Sequence, residues 1–256
     1  MEARTQVVRA MSAALPHALF ALDFDGTLAP LVDDPDESRL TPAARAALEA
    51  LAARGARVAL VTGRDAATAV RLSALAELPG LVVVGLYGAE RWQAGQLSRF
   101  ARPEVLDGAR VELPALLPAG VWLEDKGLSL VVHARTAPDP SAALASVTAP
   151  LRRLAARFGL EVHPGRDVCE LRLPGFDKGR ALRDLVREIA PQAVLYAGDD
   201  LGDLPAFAAI KTAEVPGGAW SVAAGDPVLP GVAAAADLVL SGPDGVADLL
   251  REIAEG

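Results

Sequence analysis

Short apolar runs that end in glycine or charge recur along both ends of the chain. Ala18-Leu19-Phe20-Ala21-Leu22 and Val58-Ala59-Leu60-Val61 are too short and too continuously apolar for surface helices, and read as buried strands. Residues 81–85, 193–197 and 237–240 read the same way. Between them the spacing changes to that of helices. Thr41-Pro42 supplies an N-cap and a first-turn proline for a helix over 43–54, with Gly55 at its far end. Further helices are predicted over 65–75, 178–189, 204–209 and 246–253. Strands alternating with helices predict an α/β fold, a doubly wound parallel sheet covered by helices on both faces.

The middle of the chain breaks that alternation. Residues 121–123, 128–133, 160–163 and 169–173 read as four strands, and a helical segment interrupted by Pro150 lies between the second and third. The order ββαββ predicts a smaller α+β domain built on an antiparallel sheet. The expected division is therefore a core of residues 1–103 and 175–256 with an inserted domain of 104–174. Pro103 and Pro174-Gly175 would mark the linkers.

Composition narrows the function classes. With 52% hydrophobic residues in 256, the chain is globular, and its net charge of −8 argues against a nucleic-acid partner. One cysteine, Cys169, excludes an internal disulfide framework, and three histidines offer no zinc array. The start, Met1-Glu2-Ala3-Arg4, lacks a secretory apolar stretch, and no apolar run reaches the ~20 residues that cross a bilayer. A cytoplasmic location with no membrane association is expected, and a monomer is favoured.

Chemistry gathers at the predicted strand ends. Asp23-Phe24-Asp25-Gly26-Thr27 follows the first strand, Thr62-Gly63-Arg64 follows the second, and Asp199-Asp200-Leu201-Gly202-Asp203 follows the strand over 193–197. Asp177-Lys178-Gly179 opens a helix, where backbone N–H groups favour anions. Taken singly, each segment is also an ordinary acidic or glycine turn. Together, in this order, they describe one site.

That order resembles the haloacid dehalogenase-like phosphohydrolase superfamily over nearly the whole chain. An insert after the third core strand is similar to the superfamily's α/β cap, which closes over the core site and selects the substrate. The resemblance implies that Asp23 is a nucleophile, that Asp25 is an acid and base, and that Thr62 and Lys178 hold phosphoryl oxygens. Asp23, the Asp25 main-chain carbonyl and Asp199 would hold Mg²⁺, with Asp200 or Asp203 supporting its waters or Lys178. If the fold brings these five carboxylates together, they must hold protons or bind a cation, since two charges 4 Å apart repel by ~4 kcal/mol at an effective dielectric near 20.

In the insert, Glu124-Asp125-Lys126-Gly127-Leu128-Ser129, Val131-Val132-His133-Ala134-Arg135 and Pro164-Gly165-Arg166 with Cys169-Glu170 resemble segments of trehalose-6-phosphate phosphatases. By that resemblance Glu124, Lys126 and Glu170 would bind sugar hydroxyls, with Arg135, Arg166 and His133 nearby, and Gly63 and Arg64 would also bind substrate. The implied partner is a small phosphosugar. Tyr87, Ala134 and Gly202 depart from that pattern, so another sugar phosphate stays open, as do a phosphomutase and a silent binding protein.

Overall fold

The computed structural model describes residues 2–101, 103–165 and 167–256; Arg166, expected to bind sugar, lies outside the described residues. The chain begins with α1 (Glu2–Ala14), β1 (Ala18–Leu22), α2 (Pro42–Ala53), β2 (Arg57–Val61), α3 (Ala66–Ser73), β3 (Val82–Gly85), β4 (Glu90–Gln93) and β5 (Gln96–Arg99). Next come α4 (Glu104–Glu112), β6 (Trp122–Asp125), β7 (Ser129–His133), α5 (Pro140–Phe158), β8 (Glu161–Gly165) and β9 (Val168–Arg172). The last part holds α6 (Lys178–Ile189), β10 (Ala193–Gly198), α7 (Leu204–Lys211), β11 (Ala219–Ala224), α8 (Pro230–Ala235), β12 (Leu238–Leu240) and α9 (Gly242–Glu255). These elements form two compact units, Met1–Ser98 with Asp177–Gly256, and Arg99–Phe176.

In the first unit the strands run β12-β11-β10-β1-β2-β3-β4-β5, parallel from β12 to β3, with β4 antiparallel to β3. Strand periodicity explains how one apolar run serves two cores. Ala18, Phe20 and Leu22 of β1 join a cluster with Val7 and Met11 of α1, Leu48 and Leu51 of α2, Leu72 of α3, and Leu249 and Leu250 of α9. Leu19 and Ala21 join the opposite cluster with Leu182 and Leu185 of α6, Phe207 and Ile210 of α7, and Val232 of α8. Helices therefore cover both faces, as the alternating pattern predicts. Leu22 pairs with Leu60 on one side and Ala197 on the other, so β1, β2 and β10 end at one level.

The second unit is an antiparallel sheet in the order β6-β7-β9-β8. Leu130, Val132 and Leu171 are buried on one face, with Leu106 and Ala109 of α4 and Val147, Leu151 and Leu154 of α5 buried in the same unit. One expectation is corrected here. Pro150 does not interrupt the helix: α5 runs through it from an Asp139 cap to a left-handed Gly159. Val147, Leu151 and Leu154 fall on one stripe across the proline, so the packing holds the helix together where local propensity would break it. Among the described residues, six α-helices and β-strands outside the predicted set also appear: α1, β4, β5, α4, β11 and α8.

Candidate active site

The carboxyl ends of β1, β2 and β10 deliver the acidic and hydroxyl residues together. Asp23 continues β1, its N–H donating to the Ala197 carbonyl at 2.9 Å. Thr62 continues β2, its N–H donating to the Val84 carbonyl at 3.0 Å, and its side chain is buried. Asp199 and Asp200 follow β10. Just after Asp25 the chain turns at Gly26, whose φ is +78° and whose missing Cβ would lie 2.1 Å from Asp199 Oδ2. Only glycine permits both that backbone angle and that approach.

Lys178 reaches this group from the first turn of α6, which Asp177 caps by accepting from the Arg180 N–H at 2.7 Å. Its Nζ lies 2.9 Å from Asp23 Oδ1 and 2.8 Å from Asp203 Oδ1. Burial works against the ammonium, but Asp203 and Asp23 outweigh it and hold the Lys178 pKa well above its ordinary value. Asp203 is enclosed completely. Its Oδ1 accepts from Lys178 and, at 2.5 Å, from the Tyr196 hydroxyl; its Oδ2 accepts from the Asp199 and Asp200 N–H groups at 3.0 and 3.1 Å. Burial alone would raise its pKa, yet Lys178 and these donors keep it below the usual carboxylate value.

Asp23, Asp199 and Asp203 each present a carboxylate oxygen within 4.8 Å of the others, an arrangement that could hold a metal ion. The four donors on Asp203 occupy its acceptor positions, which leaves Asp23 and Asp199 as the oxygens free to ligate. Burial raises the Asp23 carboxyl well above its ordinary pKa, against the pull of Lys178. Burial, with Asp203 and Asp200, pushes Asp199 up to about 7. Burial thus disfavours the charged forms of both carboxylates, and Lys178 opposes it. An all-oxygen donor set short of counter-charge fits a hard divalent cation.

Asp25 faces a different environment. Its carboxylate takes a bidentate pair from Arg64, Nε to Oδ2 at 2.5 Å and the terminal nitrogen to Oδ1 at 2.7 Å, and accepts from the buried Ser38 hydroxyl at 2.9 Å. Arg64 also lies over the Phe24 ring, 5.6 Å from its centroid. Gly63 leaves room for Tyr87, whose hydroxyl would stand 2.6 Å from a Cβ there. Ser38 and Tyr196 contribute to the site but carry no sequence signal, because only the fold brings them to Asp25 and Asp203.

Of the expected sugar-binding residues of the second unit, Glu124 and Glu170 fall on one sheet face. Glu124 pairs with Val131 and Val131 with Glu170, which puts both carboxylates on the same side of the sheet. Glu170 accepts from the Ser129 hydroxyl at 2.6 Å and lies 3.7 Å from Arg172. Glu124 lies 2.8 Å from His133 Nε2, and that hydrogen bond lowers its pKa, with Lys126 and Arg135 acting in the same direction. Lys126 closes the β6–β7 turn through its N–H to the Ser129 carbonyl at 3.0 Å; Arg135 is exposed just beyond β7.

A parallel α/β sheet with a carboxylate cluster at its strand ends is the architecture of haloacid dehalogenase-like hydrolases. One such structure, from Bacteroides thetaiotaomicron, matches with a TM-score of 0.69 at 19% identity over 93% of this chain and 99% of its own. The C-terminal domain of a Candida albicans trehalose-6-phosphate phosphatase matches with a TM-score of 0.78 at 22% identity, covering 98% of this chain and 96% of that one. The chain belongs to the trehalose-phosphatase family, whose model matches residues 21–232. A trehalose-phosphate phosphatase of Mycobacterium marinum is 35% identical over 210 residues, 77% of this chain and 52% of that protein. The chain thus spans about half the length of the curated relatives it matches.

Proposed function

We propose that the protein is a phosphatase that hydrolyses trehalose 6-phosphate to trehalose and phosphate. The observation that carries this reading is the Lys178 bridge between Asp23 and Asp203 at the strand ends, inside the span matched by the family model. Lys178 fixes Asp23 at one oxygen and leaves the other for attack. That oxygen forms a bond to phosphorus as the bond to the sugar oxygen breaks, giving an aspartyl-phosphate. Asp25 gives the departing sugar oxygen its proton; to carry one it must leave the bidentate Arg64 pair, which with Ser38 occupies both of its oxygens. Asp25 then takes a proton from water, whose oxygen attacks the same phosphorus and releases phosphate and free Asp23.

Thr62 and Lys178 hold the transferring phosphoryl oxygens, beside the backbone near Gly26 and Gly63. Asp23, the Asp25 main-chain carbonyl and Asp199 would hold Mg²⁺, with Asp203 supporting Lys178. When bound, that ion supplies the counter-charge that lets the buried carboxylates and the phosphate share one site. Glu124, Lys126 and Glu170 recognise sugar hydroxyls, with Arg135 and Arg166 beside them. The first unit thus carries the chemistry and the second the choice of sugar, as a catalytic core and a specificity cap. A cytoplasmic location is part of this reading; among the described residues no helix is long and apolar enough to cross a membrane.

Phosphate release measured with Mg²⁺ across trehalose 6-phosphate, sucrose 6-phosphate, glucose 6-phosphate and a glycosyl-glycerate phosphate tests the proposal. Trehalose 6-phosphate should give the highest kcat/KM, and Asp23→Asn should lower it by about three orders of magnitude or more in folded protein. Preference for another sugar would move the substrate and keep the chemistry. Substantial turnover by Asp23→Asn would remove the covalent route.

A further inference from the structure

The second unit carries an exposed indole in an unusual setting. Trp122 opens the edge strand β6 and is 46% exposed. Its ring is not loose: it stacks on the His133 ring with centroids 4.0 Å apart and planes 7° from parallel. His133 is fixed in turn, because Nε2 meets Glu124 at 2.8 Å while Nδ1 is enclosed without a partner. The ring hydrogen therefore belongs on Nε2, where the carboxylate accepts it. Trp122 stands opposite His133 in the β6–β7 register and two residues from Glu124, so all three share the face that also carries Ser129, Glu170 and Arg172.

From this geometry we infer that Trp122 is a stacking platform for a glucosyl ring of the phosphosugar, and so determines specificity; the inference rests on the phosphatase reading above. A pyranose presents axial C–H groups on one face and hydroxyls around its rim. The outer face of Trp122 offers a flat apolar surface for the former, and Glu124 offers acceptor oxygens to the latter. Stacking on His133 holds the indole plane in advance, so little side-chain entropy is lost on binding.

Trp122→Leu keeps an apolar side chain and removes the flat face; Trp122→Phe restores an aromatic ring. With trehalose 6-phosphate, the Leu variant should raise KM roughly tenfold with kcat changed less than about threefold, and Phe should recover most of the loss. With acetyl phosphate, which has no sugar, both variants should stay within about twofold of the wild type. Equal effects of Leu and Phe, or a Leu variant with wild-type KM, would overturn the platform. If the Leu variant does not fold, Trp122 emission decides. In Asp23→Asn protein with Trp92 and Trp220 replaced by Phe, trehalose 6-phosphate should alter it saturably, and an unchanged spectrum would overturn the inference. A wild type inactive on every disaccharide phosphate but active on acetyl phosphate would instead remove the substrate reading, and the platform with it.

Discussion

Four donors converge on the two oxygens of Asp203, and the Tyr196 hydroxyl is the one that a single isosteric change removes. Burial penalises the Asp203 charge, and Lys178 depends on that charge for its own. Tyr196→Phe should therefore destabilise the protein by about 1.5–3 kcal/mol, the usual contribution of a hydrogen bond to a buried ion. The loss should appear as a lower urea midpoint at unchanged slope, with a smaller effect on turnover than replacing Lys178. An unchanged midpoint would mean that Lys178 and the backbone donors suffice. At this scale the sequence is a partial guide. Asp23, Lys178 and Asp199 are legible because each ends a strand or opens a helix. Tyr196 reads only as one more apolar position of a strand, and the partner of its hydroxyl, seven residues on, is decided by the turn after β10. Ser38 is hidden for the same reason, thirteen residues from Asp25.

Among the elements, those with both an apolar run and a punctuating residue were legible almost to the residue: β1, and α6 behind its Asp177 cap. β11 escaped because Ala219-Trp220-Ser221-Val222-Ala223-Ala224 is mostly small residues, and its strand character comes from pairing with β10 and β12. α1 escaped for want of a cap, with Val7 and Met11 its only buried residues. The misread Pro150 leads to a prediction. Proline in a helix interior lacks the N–H that Ser146 O would accept and crowds that carbonyl, and α5 continues only because its apolar stripe packs on both sides. Pro150→Ala should therefore raise the thermal midpoint of the second unit, by an amount equivalent to about 1–3 kcal/mol. A lower midpoint would show that the proline's own packing outweighs the restored hydrogen bond.

For the whole molecule, the residues proposed to hold the cation, Asp23, Asp25 and Asp199, all lie in the first unit, which would make cation binding a property of that unit. In chelated protein the native state holds a proton on Asp199 up to about 7, while the unfolded chain releases it near 3.8. The native state binds more protons in that window, so stability falls as pH rises through it and the penalty is complete above 7. Asp199→Asn removes that penalty and should raise the midpoint of chelated protein at pH 8, by at most about 4 kcal/mol in stability. Mg²⁺ acts unequally on the two proteins. At about a hundred times its dissociation constant it should stabilise the wild type by about 2.7 kcal/mol, a midpoint shift of roughly 5–10 °C, because it neutralises the carboxylates that burial disfavours. The Asn variant, lacking one anionic ligand, should show little shift. Thermal scans with and without chelator at pH 8 read both effects without reference to turnover. A full Mg²⁺ shift retained by Asp199→Asn would place the cation away from these carboxylates, and phosphate chemistry at Asp23 would then need another source of positive charge.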